Sequence, residues 1–591
     1  MDHAHHTVHA REEEAAMTHS SEWLRPRCAA PWWSQLRRRG TAFGILCAAV
    51  FVGSAPTVVR AAGVVGTSTA ASCTDAALNA ALAGGGLVTF NCGSAPVTID
   101  ISTGTGTKTI SADTTIDGGS LITISGGNSV GVFSVNTGVK FTVQNLTIAN
   151  GNSASHKGGG IDNEGSTLTV TNSTFSTNSA GLGGGGIYNH TGTVTVTNST
   201  FSGNIAASSS GGGGGIGNSS TLTVTNSTFS GNSADYDGGG IGSSGTGTVT
   251  NSTFSGNTAS HSGAGIGNSG TLTVTNSTLS GNSAGHNGGG IASIIGTLTV
   301  TNSTFSGNSA DFDGGGIGSG TGTVTNSTFS GNSASHNGGG IASIGTLTVT
   351  NTIVANSTSG GNCFGSVTDG GHNIDDGTRC GFSTANGSLN NTNPDLDAQG
   401  LANNGGVTQT IALEAGSPAI NAGDQTVCAN PPVNGIDQRG YGRPGTGATN
   451  CSIGAYEYNS PRPPTGCAGD CDGSGEVTVN ELIVMVNIAL GNSTVSACAA
   501  GDANGDGAIT INEIIEAVGY ALNGCALSPA EQGCLNSGGT VASAMCCAGT
   551  GDFPDTCAVG ACGCSPNASH AVRVCTCGAE SCFDGSRCVS P

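Results

Sequence analysis

Along residues 158–356 apolar side chains return on two scales. Within short segments they alternate with Thr, as in Leu272-Thr-Val274-Thr, the period of two that turns one face of a β-strand inward and the other outward. On the longer scale one unit, GGGI-x-N, a short turn and TLTVTNSTFSGNSA, is written repeatedly. The Ile after the glycines stands at 161, 187, 216, 241, 266, 291, 317 and 341, and the apolar residue of the later segment at 175, 201, 229, 254, 279, 305, 329 and 353. The steps are 24 to 29 residues, room for two or three short strands with their turns, and a fixed period of that size marks a solenoid. The pattern predicts an all-β fold, a right-handed parallel β-helix with one unit per rung and rungs about 4.8 Å apart. Ile241, Ile266 and Ile291 should then form one buried column.

Composition changes this picture little. The 103 glycines and 9% charged residues would suit disorder, but a disordered chain has no reason to keep an apolar period. The net charge of −21 disfavours nucleic acid as a partner. Asparagine is periodic too, at 172, 198, 226, 251, 276, 302, 326 and 351. These are N-x-[ST] motifs, but their period favours a ladder of amides bonded from rung to rung over a row of glycosylation sites.

Five residues before each Ile stand His156, Leu182, Gly211, Tyr236, His261, His286, Phe312 and His336. A column of stacked rings at a turn explains them without any ligand. The functional alternative is a binding stripe of Tyr236, His261, His286, Phe312 and His336 for sugars, or for a transition metal on His261 and His286. Asp235/Asp237 and Asp311/Asp313 flank the column, three coils apart and too distant for one site.

The chain ends differ from its middle. Arg37-Arg38-Arg39 precede an apolar run that is too short to span a bilayer and is followed by small residues, the pattern of an export signal cut near Ala61. Residues 1–61 are read as the signal with an N-terminal extension, and no transmembrane segment is expected after its removal. The remaining cysteines fall in even local groups, 73/92, 363/380, 428/451, 467/471/498/525 and a last cluster from 534 to 588. In an exported chain these suggest disulfides within each module; zinc is the alternative for the last cluster. The divisions that follow are a cap with first coils (62–129), repeated coils (130–357), a C-terminal cap region (358–459), a calcium-loop module (460–528) and a Cys-rich module (529–591).

The alternation of GGGI and NSTFSGNSA resembles the repeats of polymorphic outer-membrane proteins and other secreted β-helix proteins of the pectate-lyase-like fold. It implies that fold over about 130–356 and a secreted or cell-surface, outer-membrane-associated location. Upstream, the Ala77-Leu-Asn-Ala-Ala-Leu82 stretch bracketed by Cys73 and Cys92 reads as a capping helix. Downstream, Asn391-Thr-Asn-Pro-Asp-Leu, Leu401-Ala-Asn-Asn-Gly-Gly, Gly416-Ser-Pro-Ala-Ile-Asn-Ala-Gly, Asp437-Gln-Arg-Gly-Tyr-Gly-Arg-Pro and Ile453-Gly-Ala-Tyr-Glu-Tyr follow in order. This succession is similar to the choice-of-anchor Q region of bacterial surface β-helix proteins, which implies that it finishes the solenoid ahead of surface attachment.

The strongest chemical signal lies between 466 and 525, where eight carboxylates meet no Lys or Arg. Asp470, Asp472, Ser474, Glu476 (through its carbonyl), Thr478 and Glu481 occupy positions 1, 3, 5, 7, 9 and 12 of a calcium loop, with Gly475 at position 6. Asp502, Asn504, Asp506, Ala508 (carbonyl), Thr510 and Glu513 repeat the arrangement with Gly507. Hard oxygen donors at these offsets suit Ca²⁺, two ions in all. Each loop runs into an apolar helix, and the Leu482, Ile483, Ile514 and Ile515 faces are expected to pack together. Loop and helix in duplicate resemble the type I dockerin module, a kind of EF-hand, which implies a cohesin-like partner. Positions 10 and 11, Val479/Asn480 and Ile511/Asn512, depart from the polar pair of dockerins, and four cysteines are added.

The fold invites a polysaccharide lyase or glycoside hydrolase carried by the dockerin-like module, and this is the alternative function. Between Gly158 and Thr378, however, there is no Lys or Arg, and the coils hold only Asp162, Glu164, Asp235, Asp237, Asp311 and Asp313 as carboxylates. A glycosidase pair must stand within about 5–10 Å, and none of these groupings looks catalytic. The expected function is a binding, adhesion or display protein, its partner an extracellular polysaccharide or another surface protein.

Overall fold

A computed structural model describes residues 61–207, 212–460, 467–471, 477–493, 495–502, 508–523, 540–547, 569–577, 582–583 and 588–589. The expected export segment, residues 208–211 and the middle of each expected calcium loop lie outside these.

The chain from Ala61 to Asn390 winds into a parallel β-solenoid of about 12 turns. A typical coil contributes Ile266–Asn268, Thr271–Thr275, Thr278–Ser280 and Ser283–Ala284. The first three segments join one large sheet, and the two-residue segments make a separate eight-stranded ladder. Register is set residue for residue: Ile241 pairs with Ile266 and Ile266 with Ile291. All three are at most 1% exposed, as the repeat pattern requires.

Inward columns supply the stabilisation. Phe175, Phe201, Phe229 and Phe254 stack with centroids 4.7–4.8 Å apart and planes within 5°. Each such side chain is worth roughly 1.5–3 kcal/mol in burial. The column ends one residue away from the expected place. Val354 pairs with Phe329, whereas Ile353 pairs with Thr328, a position that other coils fill with Thr. Ile353 is nevertheless fully buried, because it packs against Leu413, Ala419 and Ile453 from the C-terminal region.

A buried amide ladder exists, but on a different column from the one expected. It is built from Asn178, Asn204, Asn232, Asn257, Asn282, Asn308 and Asn332, all fully buried. Asn257 donates from its backbone N–H (3.0 Å) and from Nδ2 (2.9 Å) to Oδ1 of Asn282, and from Nδ2 to the Phe229 carbonyl (3.0 Å). The TNST asparagines instead hold the left-handed conformation, φ 47–50° from Asn172 to Asn351, which Asn tolerates better than other side-chain-bearing residues. They shape the turn, and Oδ1 of Asn226, Asn276, Asn302 and Asn326 is buried without a hydrogen-bond partner. Both columns share one period, so spacing alone could not separate them.

At the N-terminus helix α1 (Asp75–Leu82), capped by Thr74, buries Leu78 and Ala81 against the first coils, and Cys73–Cys92 brackets it. Residues 363–390 continue the coils. The chain then doubles back along the flank instead of only covering the last rung. Thr408 Oγ1 donates to the Asn276 carbonyl (2.9 Å), Thr304 Oγ1 to Oε1 of Gln438 (2.6 Å), and the Ala455 N–H to Thr328 Oγ1 (2.9 Å). Within this strap lie a short helix α2 (Gln425–Ala429) and the Cys428–Cys451 disulfide. Arg443 pairs with Glu457 at 3.0 Å, and Arg439, between the Tyr441 and Tyr456 rings, pairs with Asp437 at 2.7 Å. No helix among the described residues is long and apolar enough to cross a membrane.

Helices α3 (Val479–Ala489) and α4 (Ile511–Asn523) pack on a small core of Val477, Met485, Ile488, Cys498, Ile509 and Ala517. Leu482 and Ile514 lie against it as expected, but Ile483 and Ile515 do not, at 54% and 63% exposed. A helix advances 100° per residue, so neighbours of core residues turn outward. In the last module Thr540–Cys547 pairs antiparallel with Ser569–Thr576. Cys577–Cys588 is a disulfide and Cys575 is also bridged, so the Cys575, Cys577 and Cys588 cluster is committed to sulfur bonds, not zinc.

Candidate functional site

The triple-glycine turns and the strands after them frame a groove of about 690 Å³ on the side of the solenoid. Tyr236, His261 and His286 form one wall, and Ser219, Ser244, Ser269 and Ile295 the other. The floor is Gly217, Gly242, Gly267 and Ala292, successive members of one register column. A Cβ on Gly242 would stand 2.6 Å from the Gly213 nitrogen. Close approach of the preceding turn therefore keeps this floor shallow and bare. The lining spans six rungs, from Lys157 to Ile295, roughly 24 Å at the rung spacing of a sheet.

The ring column is continuous. Tyr236, His261, His286 and Phe312 follow at centroid distances of 4.8, 5.1 and 4.9 Å with planes within 5°, and His336 follows Phe312 at 4.4 Å, tilted 48°. Backbone bonds run beneath it, such as His286 N–H to the His261 carbonyl at 2.7 Å. Gly211 falls outside the described residues, and Leu182 and His156 continue the row without a ring stack. Asp237 steadies the column: its Oδ1 meets Nδ1 of His261 and accepts from the Ser262 N–H, both at 2.8 Å.

This geometry limits the chemistry. Stacking covers the ring faces from Tyr236 to Phe312, so the groove receives ring edges, suited to hydrogen bonds more than to sugar rings lying flat. A transition metal needs ring nitrogens converging at about 2.0–2.1 Å. The His261 and His286 rings lie parallel, 5.1 Å apart, and their lone pairs do not converge on one ion. Asp235 and Asp311 are exposed and set apart from the wall, and Asp313 accepts from Asn337 Nδ2 at 3.2 Å.

The N-terminal end of the groove carries a cluster that sequence reasoning passed over. Lys157 Nζ lies 4.1 Å from the Tyr188 ring centre, donates to Tyr188 Oη at 2.9 Å and stands 3.4 Å from His190 Nε2. Tyr188 Oη is bonded to Ser219 Oγ at 2.8 Å. Asp162, paired in register with Tyr188, heads the floor column. Burial, reinforced by Glu164, pushes its carboxyl up to about 6 against the pull of Lys157 and His156. The available signal was the isolation of Lys157, which sits one residue before the first glycine of the repeat.

In the module of α3 and α4, where the sequence predicts two calcium loops, Asp470, Glu481 and Glu513 are buried, at 4–6% exposed. Glu481 closes its loop. One oxygen accepts from the Cys471 N–H (2.7 Å), and the other from the N–H (2.7 Å) and hydroxyl (2.9 Å) of Thr478. Glu513 meets Thr510 likewise, at 2.8 and 2.9 Å. Cys471–Cys498 ties the first loop to the connection between the helices. Asp502 and Ala508 flank the undescribed stretch of the second loop. Asp472, Ser474, Glu476, Asn504 and Asp506 lie outside the described residues. Buried carboxylates at loop ends offer the hard oxygen donors that suit a cation such as Ca²⁺. The helices also expose matched apolar stripes, Val479, Ile483 and Val486 on α3 and Ile511, Ile515 and Val518 on α4.

Residues 226–244 and 326–344 match the Chlamydia polymorphic membrane protein repeat. Each matched segment runs from a TNST asparagine through a column residue, Tyr236 or His336, into the strand that follows the glycines. No curated protein and no solved structure matches the chain. The repeat match and the parallel solenoid fit a surface, adhesin-like β-helix protein and are consistent with a cell-surface or extracellular location.

Proposed function

We propose that this chain is a surface-displayed binding protein whose solenoid groove takes an extended extracellular polysaccharide, and whose calcium-loop module docks it to a second protein. The observation that carries the first part is the groove itself: an open channel six rungs long, bordered by hydroxyls on one wall and ring edges on the other. Its hydrogen-bonding groups repeat at the rung spacing, as a repeating ligand requires. Another surface protein presenting an extended segment is the competing occupant.

The second part rests on the buried loop-end carboxylates and the paired apolar stripes. Two Ca²⁺ ions would draw Asp470, Asp472, Ser474, Glu476, Thr478 and Glu481, and Asp502, Asn504, Asp506, Ala508, Thr510 and Glu513, into closed loops and so fix the helices that present those stripes. A cohesin-like partner is the expected kind of dock. The strap of residues 394–459, by its likeness to choice-of-anchor Q regions, would hold the solenoid ahead of an attachment point. A screen of the exported protein against glycans and whole cells, with and without Ca²⁺, tests both parts. Retention of extended glycans without Ca²⁺, with protein capture only in its presence, is expected. Glycan retention that disappears with Ca²⁺ removal would overturn the division of labour.

A further inference from the structure

Lys157 is the sole Lys or Arg between residues 141 and 378, and it lines the groove. The Tyr188 ring and hydroxyl hold it, with His190 beside them. Among the described residues it makes no ion pair, although Asp162 is near enough to feel its charge. An ammonium has three donors, and Tyr188 and His190 occupy at most two. A lone Lys with a spare donor, at the end of the channel away from its one lining carboxylate, the His261-bound Asp237, is complementary to a ligand that carries negative charge.

We propose that the Lys157 end of the groove is an anion site, taking a carboxylate or sulfate of a chain lying along the groove, with the Asp162 carboxylate as its built-in competitor. The proposal rests on the reading of the groove as a glycan channel and adds the ligand's charge and its regulation. Asp162 is placed for the role by register, opposite Tyr188 at the head of the floor column, and its Oδ1 is buried without a hydrogen-bond partner. The groups facing it are His156, Lys157 and Glu164 on its own coil, Tyr188 and His190 on the next coil, and Ser134 on the preceding one. Above pH 6 the ionised carboxyl shares the field of Lys157; below it the neutral acid leaves the ammonium to the ligand. Anion binding should therefore tighten as pH falls from 8 to 5.

The test uses the full exported chain on an array of uronate-bearing, sulfated and neutral glycans, followed by calorimetric titration of a retained oligosaccharide. Retained glycans should carry carboxylate or sulfate, and the class retained identifies the source. Lys157→Gln should weaken binding about tenfold or more, the scale of a lost charge-assisted hydrogen bond, with Lys157→Arg restoring most of it. At pH 8 Asp162→Asn should bind several-fold more tightly than wild type. Thermal melts of each variant establish folding, and the Asp162→Asn gain cannot arise from misfolding. Retention of neutral glycans alone, equal binding by Lys157→Gln, or no gain in Asp162→Asn would overturn the anion site. If neutral glycans bind and Ser244→Trp blocks them, the groove reading survives without it; if no glycan binds, both readings fall.

Discussion

The solenoid and the small two-helix module after it solve one problem by opposite means. In the coils most inward residues pack on a copy of themselves, as Phe229 does on Phe201 and Phe254, so order is spread along a line of similar interfaces. In the module the described core is small, chiefly Val477, Met485, Ile488, Cys498, Ile509 and Ala517, and it holds three buried carboxylates beside it. Small cores of this kind need staples; Cys471–Cys498 is one, Cys467 is also disulfide-bonded, and the proposed cations would add to these. Repetition lets the coils vary their outer surface freely, whereas the module must spend most of its residues on holding itself together.

The largest effect should come from breaking a coil. Phe229→Ala removes an inner ring of the stack, between Phe201 and Phe254, and should cost about 3–5 kcal/mol, read as a shift in the denaturant midpoint of the solenoid and leaving the module's transition in place. Next is the amide ladder. Asn257→Ala strands the Asn232 donors and the Phe229 carbonyl and should cost about 2–4 kcal/mol, two or more buried groups being left unsatisfied. Asn251→Gly, at a left-handed turn position, should change stability by less than about 1 kcal/mol. Equal costs at the two sites would refute the assignment of the ladder.

Metal dependence sharpens the comparison from the other side. Saturating Ca²⁺ should stabilise the module by about 2.7 kcal/mol at a hundredfold excess over Kd and leave the coils unchanged. In calorimetric titration the wild type should show two sites, and Glu481→Ala or Glu513→Ala should each remove one. The smallest effect concerns pH. The Asp162 carboxyl is raised to about 6 by burial and by Glu164, so the folded state binds the proton more tightly than the unfolded chain, and its contribution to stability is lost as pH rises from 4 to above 6. Asp162→Asn should therefore raise the melting temperature at pH 8 and leave it little changed at pH 4.

Much of the solenoid was legible because an inward column must repeat at the coil period, so the spacing of Ile241, Ile266 and Ile291 is enough to align them. Period reports which residues stack, not which way they point. Asn251 and Asn257 recur equally, yet one turns the chain and the other bonds coil to coil. Ile353 misled for a related reason, since its covering strap is not periodic and leaves no regular mark. The ring column was visible, but its limit was not: only the parallel planes of His261 and His286 reveal that they cannot share an ion. Lys157 escaped notice because it lies just outside the repeat, and its partners Tyr188 and His190 come from the following coil.

The central claim, that the groove between the ring column and the serine wall is the binding surface, is tested most directly by filling it. Ser244→Trp places an indole on the open wall, and Thr248→Trp puts the same bulk on the neighbouring strand, outside the groove. The account predicts that an oligosaccharide retained by the wild type is lost by Ser244→Trp and kept by Thr248→Trp, with both variants melting like the parent. Equal binding by the two would contradict it.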